Sequence, residues 1–342
     1  MALRASLLTE LRGAVDLNAR PLFGADVTRH LVLGYRPGWQ SPDDLAAIAA
    51  HARAMDPTIS TFILPTVRRN SVSRRLAATR PTLVVSAGPI RVFTPRRGRI
   101  YQGQVIPKVE ELRRLEAAGV PVPRWALLTP DLRLDPAEWG DFVVVKPTDI
   151  VTSSHGDGIQ LMRTRRVRYQ APGDYPDGHP GRYGPMLVQR FIDTGPRIAA
   201  HRVLTLFGEP LYAVTDISDE ARIPLSADDK ELERVQIASQ AIKAQQKVFV
   251  SDADVIELAR RAHAAIPEVP VKGVDILREA GTGALYVLEL NCGGNTWHFS
   301  SRQQAEARAE NGPEFERRRY RQFDAMRTAA RVLVAKTRGE AE

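Results

Sequence analysis

Asp275, Glu289 and Asn291 combine the residue types and spacing with the most specific chemical meaning in this chain. Glu289 and Asn291 stand two apart in the run ALYVLELN, so on a strand they project from one face. Asp275 lies in VKGVDILRE, across an Ala280-Gly281-Thr282-Gly283 segment with the composition of a hairpin turn, where it can lie beside them. Two carboxylates and an amide oxygen form a partial cage for a hard divalent cation that completes its shell with phosphate oxygens and water. The alternative is a solvated strand face. Leu288 and Leu290 alternate with the polar pair in an otherwise apolar run, which favours the cage.

Two lysines carry the next signal. Lys146 closes the apolar run DFVVVKP, where a cation either snorkels to the surface or stands beside an anion. Lys108 opens KVEELRRLEAAG, a helix start whose dipole disfavours a cation that has no anionic partner. Cys292 is the single cysteine, which rules out an internal disulfide, and no base is indicated beside it, so it reads as a small packed residue. No Cys/His cluster has zinc spacing.

These residues need elements to position them. Residues 30–33, 61–67 and 81–87 read as strands, and SPDDLAAIAAHARAM between the first two reads as a helix with Ser41 as cap. A small parallel α/β layer over residues 1–100 follows. The Pro/Gly/Arg-rich TPRRGRIYQGQ marks a boundary. Beyond it come the Lys108 helix, an extended VPVPRW, the strand DFVVVKP and a turn-rich loop with Gly156 and Gly158. YQAPGDYPDGHPGRYGP (169–185) reads as an irregular, movable loop. Strands MLVQRFI, IAAHRVLTLFG and EPLYAVTDI follow, then a helix SDADVIELARRAHAAI capped by Ser251 or Asp252, the Asp275 hairpin, and a last helix from Asn311-Gly312-Pro313 to about Lys336.

At 342 residues and 43% hydrophobic content the chain has enough core for two or three packed units. No apolar stretch reaches the roughly 20 residues of a membrane span, and charges interrupt the N-terminal run too often for a signal peptide. A soluble, cytoplasmic protein with no membrane partner is expected. The net charge of +8 does not by itself indicate nucleic acid, because only 7 of the 48 basic residues are Lys and the Arg are scattered. Arg317, Arg318, Arg319 and Arg321 read as a solvated helix face, and a basic surface equally suits an anionic small molecule.

The order KVEELRRLEAAGVPVP, DFVVVKP, a Ser/Gly loop, LVQRFI, HRVLTLFG, KGVDIL and YVLELNCGG resembles the ATP-grasp superfamily of carboxylate–amine ligases over roughly residues 105–305. The resemblance implies an α/β fold: a small N-terminal domain over 1–100, a small lobe with a glycine-containing lid over 101–190, and a large lobe with the metal site and C-terminal helix over 191–342. It implies ATP with Mg²⁺ or Mn²⁺ as cofactors. Lys108 and Lys146 would hold the phosphates, and the loop around Ser153, Ser154, His155 and Gly156 would fold over them. Gln189, Arg190, Phe191 and Ile192 would meet the adenine edge and Asp193 the ribose. Arg202 and Lys146 would stabilise the transferring phosphate, with the metal on Asp275, Glu289 and Asn291.

The activity implied is phosphorylation of a small-molecule or peptide carboxylate and attack of an amine on the acyl phosphate. A phosphotransferase on the same fold and a nucleotide-binding regulatory protein without turnover are the alternatives, and a homodimer is left open. The sequence departs from the family at Gln189, where an acid is usual and where an amide can still accept from the adenine amino group. It departs again in the 169–185 segment, and in CGGNTWHFSSR, where Trp297 and His298 are either pocket residues or a core Trp and an ordinary loop His.

Overall fold

The computed structural model describes residues 27–66, 79–90, 94–148, 158–234, 245–302 and 305–342, and elements are numbered within these segments. The chain divides into two compact units, one of Met1–Gly103 with Trp297–Glu342 and one of Gln104–Thr296. Each combines helices with β-sheet, so the fold is mixed α/β.

In the first unit, β1 (Arg29–Tyr35), β2 (Ile59–Pro65), β3 (Thr82–Ser86) and β4 (Gly98–Gln102) form a parallel sheet in the order β2-β1-β3-β4. Leu31, Val32, Leu33, Leu83 and Val84 are all buried, as continuous apolar runs in parallel strands require. β4 corrects the reading of TPRRGRIYQGQ as a mere boundary. Gly98 enters that strand at φ +120°, so close to β3 that a Cβ would lie 1.9 Å from the Thr82 carbonyl oxygen.

Helix α1 (Pro42–Met55) starts where Ser41 Oγ accepts the Asp43 N–H at 3.0 Å, and it buries Leu45, Ile48, Ala49 and Ala52. The C-terminal segment is helical over α6 (Ala305–Arg321), which is broken at Gly312 (φ +78°) just before Pro313, and over α7 (Ala325–Glu340); Asp324, left-handed at φ +47°, separates the two and interrupts the single helix expected from 311–313 to about Lys336. α7 packs on α1 and against β1 and β3. Residues 297–342 thus belong to this unit, not to the large lobe where the sequence boundary placed them. The physical reason is Asp44 on α1. Its buried carboxylate accepts from Trp297 Nε1 at 2.7 Å, Tyr320 OH at 2.9 Å and Ser300 Oγ. Each donor offsets the desolvation that pushes this carboxyl's pKa up. Trp297 is therefore a core residue, buried edge-on against Phe299.

The second unit contains two antiparallel sheets. α2 (Lys108–Ala117) precedes β5 (Trp125–Leu127), α3 (Pro136–Trp139), β6 (Phe142–Pro147), β7 (Gln160–Arg163) and β8 (Met186–Arg190), and the strands order β5-β8-β6-β7. The 169–185 segment is irregular but anchored. Tyr175 sinks among Trp139, Val143, Val145, Met186 and Val188, stacks on His179 at 4.6 Å, and leaves room beneath its ring only for Gly181.

The larger sheet orders β11 (Gln245–Phe249), β10 (Glu209–Ala221), β9 (Arg197–Leu206), β12 (Val271–Arg278) and β13 (Leu285–Asn291). α4 (Asp229–Glu233) and α5 (Ala253–Ala264) lie between its strands in the chain; Asp252 caps α5, and α5 packs on the sheet. Lys272 is fully buried and donates to the carbonyls of His263 and Ile266 at 2.8 and 2.6 Å, closing the C-terminal end of α5. Among the described residues no helix is long and apolar enough to cross a membrane.

Candidate active site

One cavity in the second unit gathers residues from both of its sheets and from α2. From the larger sheet come Arg202 on β9, Asp275 on β12, and Glu289 and Asn291 on β13. Asp275 pairs with Arg202 on one side and with Glu289 on the other, which sets three charged side chains in a row across one sheet face. A bulge at Leu288 shifts the register between Asp275/Glu289 and Ile276/Val287.

The three oxygen-bearing residues are brought together but are not equivalent. Arg202 donates through Nε and Nη2 to the two oxygens of Asp275, each at 2.7 Å, and Asn291 Nδ2 donates to Asp275 Oδ2 at 3.1 Å. Burial works against the guanidinium charge, and Asp275 more than offsets it, so the Arg202 pKa is raised. Glu289 Oε2 accepts from Lys108 Nζ at 2.9 Å. Burial opposes ionisation of Glu289, yet Lys108, Lys146 and Arg202 together hold its carboxyl well below the usual range. Glu289 Oε1 and Asn291 Oδ1 make no bond within the described residues. These two atoms fit a divalent cation directly, whereas Asp275 is committed to Arg202. Among the described residues no set of three His, Cys, Asp or Glu is arranged to hold a metal.

Lys146, near the end of β6, lies buried beneath the same cavity, with Nζ donating to Gln189 Oε1 at 2.7 Å. Burial, with the charge of Lys108 beside it, lowers its pKa from 10.5 to about 7. That bond occupies one of the two lone pairs of the Gln189 carbonyl oxygen. The other end of the amide is the donor Nε2, which is buried without a partner.

Arg190, Phe191 and Ile192 line the cavity at the end of β8. The Arg190 N–H donates to Arg124 and the Phe191 N–H to Phe142, and the Arg190 side chain pairs with Glu279 at 2.9 Å. The Ile192 N–H has no partner among the described residues. Asp193 does not line the cavity. Its Oδ1 is held by the Gly195 N–H at 2.9 Å and by Arg222 at 2.8 Å, and Arg222 and Thr194 take the wall position instead. Ser153, Ser154, His155 and Gly156 lie outside the described residues.

Two charged wall residues escaped the sequence reading. Glu111 stands one turn after Lys108 on the same face of α2, a spacing that could have flagged it. It is 3% exposed, and its Oε1 accepts the Leu290 N–H at 2.9 Å. Burial, reinforced by Glu289, raises its pKa to about 8. Arg222 follows β10 in an irregular segment and left no signal in the sequence.

The group these residues would suit is a nucleotide with its metal. The cavity offers Lys108, Lys146 and Arg202 for phosphate, two free oxygens for a divalent ion, and, on the β8 wall beside Lys146, unpaired N–H donors of Gln189 and Ile192 that suit the acceptors of a base.

No family model matches the chain, and no curated protein matches it. In structure the chain is similar to D-cycloserine synthetase DcsG, at 16% identity and a TM-score of 0.49, over 90% of this chain and 99% of that one. It is similar to the ATP-grasp ligase PsnB complexed with a minimal precursor, at 17% identity and a TM-score of 0.48, over 91% and 100%. It is also similar to D-alanine–D-alanine ligase from Bacillus anthracis, at 12% identity and a TM-score of 0.42, over 91% and 99%.

Proposed function

We propose that this chain is an ATP-dependent, Mg²⁺-requiring ligase of the ATP-grasp kind. It would activate a small-molecule or peptide carboxylate as an acyl phosphate and pass it to an amine. The observation that carries this reading is the convergence of Lys108, Lys146 and Arg202 with Asp275, Glu289 and Asn291 on one cavity. A carboxylate oxygen attacks the γ-phosphorus and ADP leaves. The amine nitrogen then attacks the acyl carbon, loses a proton, and phosphate leaves. No protein nucleophile is required, so the chain contributes position and charge.

Lys108 and Lys146 would bind phosphate oxygens, and Arg202 would turn part of its guanidinium from Asp275 toward the transferring group. Glu289 and Asn291 would hold Mg²⁺, with Asp275 behind them; the metal supplies charge neutralisation across the phosphates. The wall residues Arg190, Phe191 and Ile192 would seat the base. Incubation with ATP, Mg²⁺ and a panel of amino acids and short peptides, with hydroxylamine as trap, tests the reading. ADP, phosphate and a hydroxamate are expected. AMP with pyrophosphate would exclude the mechanism, and a stable phosphorylated product would replace the ligase with a phosphotransferase.

A further inference from the structure

Gln189 carries a polar atom with nothing to bond. The residue is 2% exposed, and its Nε2 is buried without a hydrogen-bond partner. The orientation of the amide follows from its neighbour. Lys146 Nζ donates to Gln189 Oε1 at 2.7 Å, so the other end of the amide is the N–H. Trp125, directly opposite on β5 and so on the same sheet face, likewise has a buried Nε1 without partner. The unpaired groups on this face are donors. A buried donor without an acceptor is a standing cost, and such atoms in folded proteins call for an explanation, a missing ligand among them.

A second orphaned donor lies on the same wall. Ile192 lines the cavity three residues on, and its N–H has no partner among the described residues. Two donors on one wall select a ligand edge with two acceptors. Adenine has such an edge, because its ring nitrogens N1 and N7 both accept and flank a 6-amino group that only donates. A 6-oxo purine carries a proton on N1 and would oppose donor to donor at Ile192.

We propose that Gln189 is a specificity-determining residue for the base: its amide, held by Lys146, donates to N7 of adenine while the Ile192 N–H donates to N1. This rests on the reading that the cavity binds ATP, and it goes further by assigning the amide to one atom of the base. A carboxylate at this position could not serve that atom, since it has no N–H to give.

The test is calorimetric binding of Mg-ATP and of its 7-deaza analogue, in which N7 is a C–H, to the full chain and to Gln189→Glu. That substitution is near-isosteric and leaves Lys146 an acceptor, so the fold is retained; Gln189→Leu is a second variant that offers neither donor nor charge. The full chain is expected to bind 7-deaza-ATP about five- to tenfold more weakly than ATP, the worth of one neutral hydrogen bond. In Gln189→Glu that ratio is expected to fall to one or to invert. Equal binding of the two nucleotides by the full chain overturns the N7 assignment while leaving the ATP reading intact. An unchanged ratio in Gln189→Glu also overturns it, because a structural role would weaken both nucleotides alike. Failure of the full chain to bind either nucleotide removes both readings.

Discussion

The two nitrogens that Arg202 directs at Asp275, each 2.7 Å from its carboxylate oxygen, make this buried pair the pivot of the cavity. Side-chain exposure is 13% for Arg202 and 9% for Asp275, so neither charge has water to fall back on. Removing one member strands the other, which typically costs about 3–5 kcal/mol. Asp275→Asn is therefore expected to lower stability by about 3 kcal/mol in urea unfolding. Replacing both residues by Met and Leu is expected to recover most of that loss. A single variant as stable as the parent would show that the pair is open to solvent.

Lys146 gives a pH signature with a defined sign. Its pKa drops from 10.5 to about 7 on folding, so between those values the unfolded chain binds more protons than the folded one. Stability then rises as pH goes from about 7 toward 10, through this group alone by several kcal/mol on the order of 1.4 kcal/mol per unit. Lys272 is depressed to about 7 as well and adds a parallel rise. Lys146→Met is thus expected to remove about half of the slope and to raise stability at pH 7, while weakening Mg-ATP binding. Unfolding midpoints at pH 7, 8 and 9 read the first effect, and nucleotide-induced thermal shifts read the second. Equal thermal shifts in parent and variant would take Lys146 out of the phosphate site.

Glu111 behaves in the opposite sense. Its pKa rises from 4.5 to about 8, so the folded state holds the extra proton between those values and stability declines as pH climbs through that window. Glu111→Gln keeps an acceptor for the Leu290 N–H and drops the ionisation, so it is expected to match the parent near pH 4.5 and to exceed it by a margin growing toward pH 8. Glu111→Leu leaves that edge N–H unpaired and is expected to be about 1–3 kcal/mol less stable than Glu111→Gln at any pH. Parallel pH profiles for the parent and Glu111→Gln would mean that Glu111 stays ionised in the fold.

The juxtaposition of Asp275, Glu289 and Asn291 was readable because alternation on a hairpin puts i and i+2 on one face, a local rule. What the local rules could not supply were partners distant in the chain. Lys146 and Gln189 are 43 residues apart and meet only because β6 and β8 are neighbours. Trp297 and Asp44 are 253 apart and hydrogen-bonded in the first unit, to which the packing of α7 on α1, β1 and β3 also ties the C-terminal segment. β4 was hidden by the Arg- and Gly-rich composition around it, since its pairing depends on the backbone approach that Gly98 permits. The resemblance implied Asp193 as a ribose ligand, and nothing in the sequence signalled that Arg222, 29 residues on, pairs with its carboxylate.

Glu289 and Asn291 share a strand face and are expected to respond differently to substitution. Glu289→Gln removes the charge that both Lys108 and a divalent cation need, so Mg²⁺ binding is expected to weaken and turnover to fall at least about tenfold, equal to about 1.4 kcal/mol of barrier. It also leaves the Lys108 ammonium buried beside a neutral amide, which adds a stability loss separable by unfolding. Asn291→Asp keeps the oxygen that faces the cavity but replaces the Nδ2 donor to Asp275 with a second negative charge. Mg²⁺ is expected to bind this variant at least as tightly as the parent, and apparent affinity for ATP to drop, because the added charge opposes the phosphates. Titrating Mg²⁺ into each variant, with and without nucleotide, separates these outcomes. An unchanged Mg²⁺ requirement in both, with stability lost in both, would make the hairpin architecture alone and move the metal elsewhere.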